Sequence, residues 1–263
     1  MRKIIACFNQ KGGVAKTTTV HNLGVGLAGK GLKILLLDLD PQASLTHAVG
    51  INPDGLEKTI SDLFRGYING DADAVSNCIL HLNNRVDLIP SNISLATVEL
   101  QLSGVSYREE VLSEILKDIS GGYDFILIDC SPSLGNLTIN ALFAADSVLI
   151  PVHASYLSVM GMRELISTLV KTRRHRRGLP KIEGILLTMV NERTRSFREF
   201  KEFLNSEYGD AAPLYDFAIP NAVKVSEAPI NGQAVVEYAP HSPAALAYTT
   251  LADKIAERMK KDV

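Results

Sequence analysis

Five short stretches of the chain are almost continuously apolar: Lys3–Phe8, Lys33–Asp38, Phe125–Asp129, Ser147–Val152 and Ile182–Val190. Each closes on, or is followed at once by, an acid, a proline or a small polar residue. Continuous rather than alternating hydrophobicity marks strands covered on both faces, as in a parallel sheet. Helical patterns lie between them. Val20, Leu23, Leu27 and Ala28 share one face of a helix that Gly29 and Gly31 stop. Val111, Leu112, Ile115, Leu116 and Ile119 form another such face, and Val159–Arg173 and Phe197–Glu207 read as further helices. Strands alternating with helices imply right-handed crossovers, so the expected fold is α/β: a doubly wound, mostly parallel sheet flanked by helices on both faces. No repeat and no long linker interrupts the pattern, and residues 1–263 read as one domain. Residues 52–84 are the most irregular part and are expected to form surface helices and loops.

Composition narrows the class. Apolar residues make up 46% of the 263, enough for a sizeable core without staples. The three cysteines, Cys7, Cys78 and Cys130, are odd in number and far apart, which argues against a disulfide framework and for a reducing compartment. No apolar run approaches the roughly 18 residues of a membrane-spanning helix. Met1-Arg2-Lys3 before an apolar stretch faintly mimics a lipoprotein signal, but Ile4–Phe8 is too short and runs into Asn9-Gln10-Lys11. A cytoplasmic protein is expected.

The most specific segment is Asn9-Gln10-Lys11-Gly12-Gly13-Val14-Ala15-Lys16-Thr17-Thr18-Thr19, which follows the first buried strand and opens the first helix. Paired glycines let the backbone curl so that successive N–H groups face phosphate oxygens, and the helix N-terminus adds its positive end. Lys16 can reach the β- and γ-phosphates and the Thr17 hydroxyl can ligate Mg²⁺. The strict GxxxxGK[ST] pattern is not met, because Gln10 and Ala15 replace its glycines; KGGxxK[ST], with an additional Lys11, is.

This loop resembles the deviant Walker A loop of the ParA/MinD superfamily of P-loop ATPases. Further blocks resemble the Soj-like ParA partition ATPases: Asp38-Leu39-Asp40-Pro41-Gln42, Phe125–Pro132, Ser226-Glu227-Ala228-Pro229 and Tyr238-Ala239-Pro240-His241-Ser242. They occur in the family's order from Lys3 to about Tyr248. The resemblance implies a P-loop NTPase fold that hydrolyses ATP with Mg²⁺. ATP would be held by Lys11, Gly12, Gly13, Val14, Ala15, Lys16, Thr17 and Thr18, with Asn191 and Pro220 lining the adenine pocket. Mg²⁺ falls to Thr17, Asp40 and Asp129, and catalysis to Lys11, Lys16 and Asp40, the last positioning the attacking water. Asp38 is read as a strand-end brace. Lys11 matches the family's signature lysine that crosses a dimer interface to the partner's nucleotide, implying a homodimer with ATP sandwiched between its subunits.

Two departures from the family pattern stand out. Ala15 occupies a position usually filled by Gly; it is harmless at an ordinary φ, which is the expectation, and costs about 1–2 kcal/mol if φ must be positive. Pro220-Asn221-Ala222 replaces the family's Pro-Arg-Asn, weakening any transfer of a DNA or base contact to that spot.

Net charge is −2, yet Lys171–Lys201 holds ten basic residues against Glu183, Glu192 and Glu199, a surplus of seven that leaves the remainder at −9. Such asymmetry suits a local anion-binding face, and clustered cations suffice for DNA binding without base readout. Arg193, Arg195, Lys224, Arg173 and Arg174 are the candidate DNA contacts, with Arg193 matching a family position. Dimerisation would double a weak site and hold DNA by avidity. The resemblance thus implies chromosome or plasmid segregation, non-specific DNA, a ParB-like adaptor, nucleoid association and no membrane partner. No helix-turn-helix precedes the first strand, so operator-specific repression is not expected. Three other readings remain: a MinD-like membrane-positioning ATPase, a ParA-type positioner of protein cargo, and a reductase or ATP-dependent ligase on the same scaffold. The stripe Tyr248, Leu251, Ala252, Ile255 and Met259 reads better as a packed helix than as a membrane anchor, and Cys78 and Cys130 lack the spacing of a shared cluster.

Overall fold

The computed structural model describes residues 2–70, 78–83, 85–119, 122–153, 180–209 and 212–261. Eight strands form one sheet: β1 (Lys3–Cys7), β2 (Ile34–Leu39), β3 (Leu80–His81), β4 (Val86–Ile89), β5 (Phe125–Cys130), β6 (Ser147–His153), β7 (Lys181–Val190) and β8 (Leu214–Pro220). Their order is β3-β4-β2-β5-β1-β6-β7-β8, parallel throughout except for β3 against β4. The expected mostly parallel, doubly wound α/β sheet is present, and all five apolar stretches became strands. The two-residue β3, the short β4 and the edge strand β8 were not expected.

Both faces of the sheet are covered, which is why its strands lack alternation. Ile4, Ala6 and Phe8, with Leu35, Leu37 and Leu39, enter one core; Ile5 and Cys7, with Ile34 and Leu36, enter the other. The first core takes α3 (Ile60–Asn69), α4 (Leu95–Leu102), α5 (Val111–Asp118) and α6 (Asn136–Ala144). Helix α3 lies in the stretch expected to hold surface helices and loops, but its Ile60, Leu63 and Phe64 are buried in this core. Its signal is local: Thr59 caps it, the Thr59 N–H donates back to Asp62 Oδ2 (2.9 Å), and Gly70 ends it at φ +76°.

The second core takes α1 (Lys16–Ala28) and the C-terminal helix Pro243–Lys261. Between these along the chain lie α2 (Ser44–Ala48), α7 (Arg195–Tyr208), α8 (Val223–Glu227) and α9 (Val235–Tyr238), so the C-terminal helix is α10. Tyr248, Leu251, Ala252 and Ile255 are completely buried, so the apolar stripe of α10 is core. Among the described residues no helix is long and apolar enough to cross a membrane. The expected helix Val159–Arg173 and the cluster Lys171–Arg177 lie outside the described residues.

The strand ends bring the candidate functional residues together. Residue pairing sets Cys7 beside Asp129 and Asp129 beside Asp38, so the loops after β1, β2 and β5 open at one carboxyl edge. Successive strands leave β1 in opposite directions there, and open α/β sheets place their ligands at such a point.

Candidate active site

The loop after β1 is built on its own asparagine. Asn9 Nδ2 donates to the Pro151 carbonyl (2.8 Å), and Asn9 Oδ1 accepts from the Lys11 N–H (3.0 Å). Behind the loop, the buried Thr188 hydroxyl donates to the Val14 carbonyl (3.1 Å). Gly13 stands at φ +69°, and a Cβ added at Gly12 or Gly13 would meet nothing within 4 Å, so both glycines face open space. Ala15, at the N-cap of α1, offers no side-chain cap. The N–H groups of the first turn are therefore left for a ligand, and the helix dipole favours an anion. Lys16 is 8% exposed and its Nζ donates to the Lys11 carbonyl (3.1 Å).

Ala15 overturns one expectation. Its φ is +64°, in the left-handed region, and not the ordinary φ anticipated from the sequence. The curl that carries the loop into α1 demands this conformation, which disfavours a residue with a Cβ.

Three acids close the other side. Asp38 is fully buried; its Oδ2 accepts from both the N–H and the hydroxyl of Thr46 (2.8 Å each), and its Oδ1 from the Asp40 N–H (3.3 Å). It braces the turn after β2. Burial pushes its carboxyl up to about 6 against the pull of those hydrogen bonds. Asp40 lines the cavity, and its Oδ1 accepts from the Gln42 N–H (3.0 Å). Asp129 is 1% exposed, and neither of its carboxylate oxygens makes a hydrogen bond. Burial, and after it the charge of Asp38, raises its pKa well above the carboxylate range; the Thr17 side chain and Lys16 act in the opposite direction. A buried carboxylate with two orphaned oxygens beside a threonine and a lysine suits a cation bound directly or through water. Among the described residues no group of three or more His, Cys, Asp or Glu is placed to hold a metal ion.

The cavity measures about 540 Å³. It is lined by Gly12, Gly13, Ala15, Lys16, Thr17 and Thr18 of the phosphate loop and by Asp40, by Thr188 and Met189 of β7, and by Ile219 to Ala222 at the end of β8. Pro220 lines this cavity. Asn191 does not line the cavity: it is exposed, and its Oδ1 accepts from the Arg193 N–H (3.3 Å). Asn221, one residue beyond Pro220, does line it. Val14 is fully buried, and neither it nor Lys11 is in the cavity wall. Thr188, Met189 and Asn221 are among the cavity residues that sequence reasoning missed; the first two carry no motif, and Asn221 counted only as a departure from the family pattern.

Of the basic candidates, Arg193 is exposed in the turn before α7, and Arg195 is exposed in an i,i+4 pair with Glu199 (2.7 Å). Lys224 is engaged, with its Nζ on Glu227 (2.8 Å) and over the Tyr238 ring (5.5 Å). Arg173 and Arg174 lie outside the described residues. The three cysteines are buried, Cys7 and Cys130 in opposite cores, and burial raises each thiol pKa.

Comparison with known proteins agrees with this geometry. A family model described as an AAA domain matches residues 2–181. The chain is 40% identical over 256 residues to the sporulation initiation inhibitor protein Soj of Bacillus subtilis, covering 97% of this chain and 99% of that one. It is 34% identical over 258 residues to the chromosome partitioning protein ParA of Caulobacter vibrioides, covering 97% and 94%. Among solved structures it is similar to a cobyrinic acid a,c-diamide synthase from Mycobacterium smegmatis with bound ADP and magnesium (TM-score 0.86, 32% identity, 100% of this chain and 97% of that one). A second structure of that synthase holds an ATP analogue and magnesium. A parallel sheet, a glycine loop opening a helix and carboxylates at the facing strand ends define a P-loop ATPase, working on ATP with Mg²⁺. The chain belongs to the ParA/Soj family of these ATPases.

Proposed function

We propose that two copies of this chain clasp ATP between them, that the ATP-bound dimer binds DNA without sequence preference, and that hydrolysis, stimulated by a ParB-like adaptor, releases it. The cycle would serve segregation of a chromosome or plasmid, in a cytoplasmic, nucleoid-associated protein. The carrying observation is the placement of two lysines on one phosphate loop: Lys16 lines the cavity, and its Nζ donates to the Lys11 carbonyl (3.1 Å). A second loop lysine so close to the first suits additional negative charge nearby, such as a phosphate presented by another subunit.

Backbone N–H groups from Gly12 to Thr18 and the Lys16 ammonium hold the phosphates. Thr17, Asp129 and Asp40 hold Mg²⁺, which supplies charge neutralisation on the phosphate oxygens when bound. One oxygen of Asp40 is tied to the Gln42 N–H, leaving the other for the attacking water. Phosphoryl transfer is catalysed mainly by positioning and charge, so this small set suffices. Pro220 and Asn221 wall the base end. The exposed Arg193 and Arg195 supply phosphate contacts to DNA. Lys224 contributes only by giving up Glu227.

The test is size-exclusion chromatography with ATP and Mg²⁺, paired with DNA gel shifts in ATP, ADP and no nucleotide. Asp40→Ala, which keeps the phosphate loop but loses the water-positioning group, is expected to elute as a lasting dimer that shifts DNA; Lys11→Ala is expected to stay monomeric. An Asp40→Ala chain that falls apart as fast as the parent counts against the mechanism. The likeness to a diamide synthase supports a second reading, an ATP-dependent synthase, which ATP turnover dependent on a small-molecule cosubstrate and indifferent to DNA would select.

A further inference from the structure

Met189 sits in β7 at φ +54°, a left-handed conformation that a long unbranched side chain rarely takes. The strand pairing explains how it is imposed. Leu187 pairs with Ala218 and Val190 with Pro220, so three steps along β7 match two along β8, and the extra residue is a bulge. In a regular strand, adjacent side chains point to opposite faces. Here Thr188 and Met189, adjacent in sequence, both line the nucleotide cavity. Thr188 also holds the phosphate loop through the Val14 carbonyl, so the bulge serves two tasks at once: it keeps Thr188 on the loop and turns Met189 to the same side.

Met189 lies on β7, four strands across the sheet from β2, which Asp40 follows, and beside β8, whose Ile219 and Pro220 line the same cavity with Asn221. It is still 38% exposed, so the body of the protein does not use it as core. Strain retained at a cavity wall, by a residue that the core does not need, points to a ligand contact. A thioether is polarizable and packs well against aromatic rings. We infer that Met189 is a specificity-determining residue for the nucleoside part of the substrate: its side chain lies against a face of the purine ring, and the left-handed backbone exists to turn it there. The inference rests on this cavity being the ATP site and adds the group that reads the base rather than the phosphates.

The test compares binding of ATP and of inorganic tripolyphosphate, both with Mg²⁺, to the parent chain, Met189→Asn and Met189→Leu. Asparagine tolerates the left-handed conformation and preserves the bulge while removing the apolar contact; leucine keeps an apolar side chain of similar volume. Met189→Asn is expected to weaken ATP about tenfold and to leave tripolyphosphate within twofold, while Met189→Leu holds ATP within about threefold. A merely structural role, acting through Thr188 and the loop, would move ATP and tripolyphosphate together, and that result overturns the inference. So does ATP binding that survives Met189→Asn. A parent chain that binds neither ligand overturns the ATP-site reading as well, which separates the two failures.

Discussion

At the scale of single residues, the loop holds one alanine in a conformation that glycine would occupy without strain. At φ +64°, Ala15 carries a left-handed penalty of about 1–2 kcal/mol. Replacing it with glycine removes that penalty but enlarges the unfolded ensemble, which costs about 0.4–1 kcal/mol. The first effect is larger, so Ala15→Gly should stabilise the chain by about 0.5–1 kcal/mol in urea unfolding; an unchanged or lower midpoint would show that the loop relaxes around the methyl group. Ala15 and Met189 share one property: neither residue type signals positive φ, and only the curl into α1 and the β7 bulge impose it. Asp38, Asp40 and Asp129 were visible as acids closing apolar runs, but their differing states were not. Asp38 is saturated by Thr46 and the Asp40 N–H while Asp129 has no donor, and that division depends on which loops meet at the sheet edge.

At the scale of elements, the phosphate loop is only as well placed as the helix it opens. Helix α1 is held by α10, and the two approach closely at Gly26, where an added Cβ would lie 3.0 Å from the Cβ of Ala252. A larger residue there gains about 0.8–1 kcal/mol of helix propensity. It also overpacks a filled interface, at a cost of about 1–3 kcal/mol. Overpacking dominates, because Ala252 is itself fully buried and cannot yield. Gly26→Leu should therefore lower stability by about 1–2 kcal/mol and weaken ATP binding with it, as read by urea unfolding and nucleotide titration; a stabilised variant would mean that α10 can slide. Both helices were legible from their stripes. Their packing against each other was not, since nothing in either segment names its partner more than 200 residues away.

For the whole molecule, the relevant quantity is where the charge sits. A chain of net charge −2 binds a polyanion only through a local basic face. Arg193 and Arg195 are exposed beside each other in the turn and first residue of α7. The Arg195–Glu199 pair is exposed and contributes about 0–1 kcal/mol, so a DNA phosphate can displace it. Removing a cation that neutralises one DNA phosphate lowers the slope of log affinity against log salt by about 0.9, and in a dimer each substitution removes two such cations. Arg193→Ala should thus weaken the proposed ATP-dependent DNA complex and reduce its salt slope by about 2, with the proposed ATP-dependent dimerisation intact. An unchanged slope would remove Arg193 from the DNA face.

The chain's linear order was enough to specify an α/β sheet, the phosphate loop and the acids facing it. Those features are local: unbroken apolar runs, a lysine-glycine signature between strand and helix, and carboxylates at fixed offsets from strand ends. The tertiary structure alone decided that β5 lies between β2 and β1, that Asp129 is stranded without a donor, that Asn221 rather than Asn191 borders the cavity, and that Ala15 and Met189 adopt left-handed backbones. Strand order, burial and the sign of φ depend on partners distant in the chain, and packing fixes them only once the sheet has closed around its two cores.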